Sequence, residues 1–74
     1  MPTAADVKAR IEAAIPGATA EVSSPDDVHF SARVVAGAFA GKSRLEQHRL
    51  VFDAFGEGEL GGAIHALSLK TETP

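Results

Sequence analysis

A chain of 74 residues, 45% hydrophobic and 23% charged, has room for one small domain, and a domain near this size buries only roughly 60% of the surface its unfolded chain exposes. With no cysteine, the chain cannot build a disulfide or a thiolate metal site by itself, and a net charge of −3 argues against avid, nonspecific nucleic-acid binding, which needs many Lys and Arg contacts to phosphate. No apolar run is long enough to cross a bilayer, and Asp6 and Glu12 are foreign to a signal or transit peptide, so a cytoplasmic protein without a membrane partner is expected.

Residues 1–74 read as a single unit, without internal repeats, low-complexity tracts or a long linker. Thr3 is placed to cap a first helix, with Asp6 three positions on. Val7, Ile11, Ala14 and Ile15 recur at helical spacing as its buried stripe until Pro16-Gly17 stops it. From Ala18 to Ser23 small or apolar residues alternate with Thr19 and Glu21, which predicts a strand, and the turn formers Ser24-Pro25-Asp26-Asp27 make it half of a hairpin. On the return strand Val28, Phe30, Ala32 and Val34 share one face and His29, Ser31 and Arg33 the other, so His29 is expected to point away from the core.

Past Gly37 the period changes. Ser43 and Glu46 have the spacing of a capping box, in which the hydroxyl accepts a first-turn amide proton and the carboxylate reaches back, and they predict a helix from near Arg44. Leu45, His48, Phe52 and Phe55 then form the expected core stripe, with Val51 beside it, which puts a histidine on the core face; Gly56 is placed to end the helix. Gly58, Gly61 and Gly62 allow a brief turn or short helix around Glu59 and Leu60 before strand character returns over Ala63 to Thr71. The order α-β-β-α-(short α)-β implies an α+β domain: a three-stranded mixed sheet with its helices on one face, the connectivity of a KH-like fold of the second type. Periodicity leaves the strand order open.

Several motifs invite chemistry that their spacing does not support. Gly37-Ala38-Phe39-Ala40-Gly41-Lys42-Ser43 approaches a phosphate-binding loop, but its glycines stand one residue too close for G-x-x-x-x-G-K-[ST], and no magnesium-binding acidic strand end follows. A glycine-permitted turn that delivers the chain into a capped helix accounts for both glycines. Gly58-Glu59-Leu60-Gly61 spells the GxxG with which KH domains clamp a nucleic-acid backbone, yet Glu57 and Glu59 would repel phosphates, and a flexible connector is the simpler reading. No serine stands in a G-x-S-x-G elbow, and three histidines without cysteine or paired acids do not make a zinc enzyme.

His48 reads as a packed ring with a hydrogen-bond partner and His29 as a solvent-facing one. His65 shares strand parity with Leu67 and Leu69 and reads unaided as structural, although a neutral imidazole at a strand entry can bind a metal. The basic set is Arg33, Lys42, Arg44 and Arg49, with His48 among them. It is either an ordinary solvated face or a positive patch for an acidic protein surface, a glutathione carboxylate or DNA. Lys42, at the mouth of a helix, gains nothing from the dipole, which favours an anionic partner there.

The segments VVAGAFAGKSRLEQHRLVFDAF (34–55) and IHALSLKTETP (64–74) resemble the BolA family. They share its valine pair at a strand end, F-x-G-K, a helix with H-R-x-V, and I-H-A-L-S. The resemblance implies a non-catalytic adaptor that associates with a monothiol glutaredoxin, replacing one glutaredoxin of a cluster-bridged homodimer. The pair would share a bridging [2Fe–2S] cluster, to which the glutaredoxin gives a cysteine, glutathione a second thiolate and this chain histidine; the isolated chain would hold no cofactor. His65 stands at the family's C-terminal ligand position. A neutral imidazole in place of a thiolate makes such a cluster less negative and generally raises its potential. A DNA-binding regulatory role, also attributed to the family, would use the KH-like fold and the basic face instead.

Departures from the family pattern fall at the second ligand. Family members usually offer His or Cys in the loop between the first two strands, where this chain reads Ser23-Ser24-Pro25-Asp26-Asp27-Val28, with Asp27 near the Cys position of one subgroup. Carboxylate oxygen suits a soft cluster poorly, which leaves His29 as the weaker second ligand. Ala36, Gly37 and Phe52 also replace more polar residues common at those positions.

Overall fold

The computed structural model describes residues 3–55 and 66–74. Its elements run α1 (Ala4–Ala14), β1 (Thr19–Ser23), β2 (His29–Val35), a 3₁₀ turn (Gly37–Phe39), α2 (Arg44–Phe52) and β3 (Ala66–Glu72). The expected stop at Gly56, the short turn or helix around Glu59 and Leu60, and the strand residues Ala63 to His65 lie outside the described residues.

Both helices start on capping boxes. Thr3 Oγ1 accepts from the Asp6 amide at 3.2 Å while Asp6 Oδ2 accepts from the Thr3 amide at 3.0 Å. Ser43 and Glu46 repeat the exchange at 3.2 and 3.1 Å. Each box satisfies donors that a helix N-terminus otherwise leaves without an intrahelical acceptor, and each carboxyl is held below its usual range chiefly by the backbone amide it accepts.

The sheet has the order β1-β2-β3. β1 and β2 form an antiparallel hairpin from Thr19↔Val35 to Ser23↔Ser31, and β3 returns parallel to β2 from His29↔Ala66 to Val35↔Glu72. A parallel partner needs a crossover, which includes α2. Strand alternation places Ala20, Phe30, Ala32 and Val34 in one core with Val7, Ile11 and Ile15 of the first helical segment, Phe39, Val51 and Phe55, while Leu67 and Leu69 pack against it. Glu21, Ser23, His29, Ser31, Arg33, Ser68 and Lys70 are exposed on the opposite face. The α+β layer arrangement expected from the sequence is therefore present, with β2 central.

Three packing expectations need correction. Ala14 is exposed, because the buried row of α1 follows the spacing of four through Val7, Ile11 and Ile15. Val28 is half-buried and precedes β2 instead of extending its core row. On α2 the Leu45–His48–Phe52 row is not the core face: Leu45 is 62% exposed, and His48 and Phe52 are only partly buried, meeting edge to face with ring centroids 6.2 Å apart. The inward row is Gln47, Leu50 and Val51, followed beyond the helix by Ala54 and Phe55. Gln47 can face inward because its amide is satisfied. It donates to the carbonyls of Lys42 at 3.0 Å and Phe39 at 3.3 Å and accepts from Thr71 Oγ1 at 2.6 Å.

The glycine-rich approach to α2 is structural. Its 3₁₀ turn drives Phe39 into the core, where it is fully buried, and Gly41 takes φ +75°, a left-handed conformation that glycine adopts without steric cost.

Candidate functional site

His29 opens β2 on the uncovered face of the sheet, as the alternation requires, with its side chain 61% exposed. The preceding turn is built to hold it. Ser24 Oγ accepts from the Asp27 amide at 2.9 Å and donates to the His29 carbonyl. Asp26 Oδ1 accepts from the amides of Val28 at 3.0 Å and His29 at 2.8 Å, and its Oδ2 lies 2.7 Å from His29 Nδ1. Asp27 closes the turn with φ 59°, a left-handed conformation that Asp tolerates better than most residues. These contacts hold the Asp26 carboxyl far below its ordinary value of 3.8, first through the His29 amide, then the His29 ring, then the Val28 amide.

A charged carboxylate on Nδ1 requires that nitrogen to carry the proton, which makes Nε2 the acceptor nitrogen of the neutral ring. Carboxylate-backed imidazole is the way metal-binding histidines are commonly oriented and made more basic. Among the described residues no group of three His, Cys, Asp or Glu could hold a metal ion.

His65 lies outside the described residues. Ala66, the residue that follows it in the chain, is the register partner of His29, so β2 and β3 begin side by side.

The basic set divides. Arg33 sits on the uncovered sheet face, where Nε and Nη2 reach the two Glu72 carboxylate oxygens at 3.3 and 2.8 Å and Nη1 lies 3.7 Å from Glu21 Oε1. This pairing raises the Arg33 pKa and lowers that of Glu72. Lys42 and Arg44 flank the start of α2, Arg49 is in its last turn, and all three are exposed. Arg44 and His48 instead face β3 across a groove of about 290 Å³ that Leu69, Lys70 and Thr71 complete.

Sequence reasoning missed Asp26, Gln47 and Lys70. Asp26 carried a usable signal, since an Asx residue two and three positions before amide donors is a turn former whose second oxygen can reach a side chain at the third position. Gln47 meets Thr71 of β3, and Lys70 lines the groove with Arg44 and His48 of α2; local spacing contains no trace of either.

The BolA family model, described as BolA-like protein, matches residues 10–74. The chain belongs to the BolA-like family. This BolA-like chain is 35% identical over an 82-residue alignment to BolA-like protein 1 of Mus musculus, covering 99% of the chain and 59% of the relative. It is 44% identical over 54 residues to SufE-like protein 1, chloroplastic/mitochondrial, of Arabidopsis thaliana, covering 70% of the chain and 14% of the relative. It thus spans less than two thirds of the length of either. A solved structure of a bolA protein homologue from Coxiella burnetii, 40% identical, superposes with a TM-score of 0.85 over 100% of this chain and 94% of that one. The match agrees with two helices against a three-stranded mixed sheet. No helix among the described residues of the BolA-like chain is long and apolar enough to cross a membrane.

Proposed function

We propose that the chain is a non-catalytic adaptor that pairs with a monothiol glutaredoxin and shares with it a bridging [2Fe–2S] cluster, in iron–sulfur cluster trafficking or iron homeostasis. His65 is the ligand from this chain, His29 the weaker second candidate, and glutathione completes the set through the glutaredoxin. The reading is supported most directly by the carboxylate-backed His29, which opens β2 beside the residue that follows His65. The cluster supplies a redox-active, transferable centre; the chain's own part is to hold an oriented neutral imidazole and to offer the exposed Lys42, Arg44 and Arg49 for docking. A cysteine-free chain suits a reducing compartment, cytoplasmic on this reading.

The test is to mix the chain with a monothiol glutaredoxin, glutathione, ferrous iron and a sulfide source, then record size-exclusion mass and visible circular dichroism. A one-to-one coloured complex with a spectrum unlike the glutaredoxin homodimer's is expected, and His65→Ala should abolish that spectrum while the far-ultraviolet signal is kept. Separate elution with only the homodimer's spectrum overturns the adaptor reading; an unchanged heterodimer spectrum in His65→Ala overturns the ligand assignment.

A further inference from the structure

β3 is the last strand of the sheet among the described residues. The Glu72 carbonyl accepts from the Ala36 amide at 3.1 Å, so the backbone polar groups of Glu72 face β2. Strand alternation turns those of Lys70 and Ser68 the same way and those of Leu69 and Thr71 to the outer edge. That edge is one wall of the groove whose other wall is Arg44 and His48.

The charges around the groove are unusual for an acidic chain. Lys8 pairs with Glu12, Arg33 with Glu72 and Glu21, and Lys70 with Glu72, while Arg10 donates to the Ala54 carbonyl and lies over the Phe55 ring. Lys42, Arg44 and Arg49 form no ion pair among the described residues. Arg44 is the first residue of α2, where a cation opposes the helix dipole. A cation at a position that is locally unfavourable, next to a ladder of alternating amide donors and carbonyl acceptors that is unpaired among the described residues, is arranged for an anion that arrives on a strand.

We infer that the outer edge of β3 takes an extended acidic peptide as an added strand, its main chain pairing with Leu69 and Thr71 and its carboxylates meeting Arg44, with Lys70 at the rim. Strand addition to an exposed sheet edge draws affinity from main-chain hydrogen bonds and selectivity from alternate side chains. A nucleic acid has phosphates for Arg44 but no backbone that alternates donor and acceptor along the strand, and the chain's net charge of −3 opposes it. This site, at residues 44, 48 and 69–71, shares Arg44 with the docking face of the adaptor reading but involves neither iron nor histidine ligation, so a titration without iron, glutathione or glutaredoxin tests it by itself.

The experiment titrates ¹⁵N-labelled chain, without iron, glutathione or glutaredoxin, with a capped Val-Glu-Val-Glu-Val-Glu peptide, the same peptide with Lys for Glu, and an oligothymidylate. The acidic peptide should shift the Leu69 and Thr71 amides and slow their exchange with solvent several-fold, and the Lys peptide should shift neither. Arg44→Glu puts an acid in a first helical turn, which suits the dipole and preserves the fold; it should weaken the acidic peptide by about tenfold or more, the scale of one lost charge-assisted contact. No shift at millimolar peptide, shifts without slowed exchange at Leu69 and Thr71, or oligothymidylate displacing the peptide from the same amides would each overturn the inference.

Discussion

Asp26 is the residue on which the His29 ring depends. Asp26→Asn keeps an oxygen for the Val28 and His29 amides but replaces the oxygen facing Nδ1 with a nitrogen that cannot accept its proton. The expected outcome is an intact turn, read from unchanged Val28 and His29 amide shifts, with His29 ring nitrogens that no longer report a single tautomer. A ring spectrum identical to the parent's would show that Asp26 does not set the tautomer. At this scale the sequence was legible where one residue decides its own fate. The outward direction of His29 follows from period two, whereas its carboxylate partner required attention to where the second oxygen of an Asx turn goes.

Among elements, α2 shows both the strength and the limit of periodicity. Its start is written in Ser43 and Glu46, and Ser43→Ala should cost about 1 kcal/mol of stability, seen as a lower urea midpoint at unchanged slope. A midpoint equal to the parent's would mean that water replaces the cap without loss. Its buried face, by contrast, misreads. Two rows compete on this helix, and the apolar row through Leu45 loses because Gln47 finds acceptors and a donor in the chain before α2 and in β3. That compensation comes from Thr71, twenty-four residues away. Strand order is hidden for the same reason: alternation says which face a residue takes, and only long-range pairing says which neighbour a strand has.

The whole molecule carries its acids in a way that fixes its response to pH. Asp6, Glu12, Asp26, Glu46 and Glu72 are all held below their ordinary values, 3.8 for Asp and 4.5 for Glu, by amides, Lys8 or Arg33. A carboxyl that binds its proton less tightly in the folded chain than in the unfolded one contributes stability that is complete above the unfolded value and is lost as pH falls toward the folded value. The melting temperature should therefore be insensitive to these groups above about pH 5 and fall steeply below about pH 4. A melting temperature that holds steady from neutral pH down through pH 3 would contradict this. The overall fold was legible in the sequence because turn chemistry, capping and period agree at nearly every element, and the family was legible through the motif resemblance of residues 34–55 and 64–74. The basic residues divide between two surfaces that local spacing does not separate: Arg33 and Lys70 both pair with Glu72 from the uncovered sheet face, while Lys42, Arg44 and Arg49 are exposed along α2 and its approach.

The two margins of the sheet are not equivalent. On the β1 side, Glu12 Oε2 accepts the Ala20 amide at 3.0 Å, so an α1 side chain already occupies a donor that an incoming chain would need. Natural sheets blunt an edge in this way against uncontrolled association. With a donor of the β1 margin already taken and the β3 margin unpaired among the described residues, the molecule offers a guest strand one side more readily than the other, an asymmetry that works against pairing being passed from copy to copy.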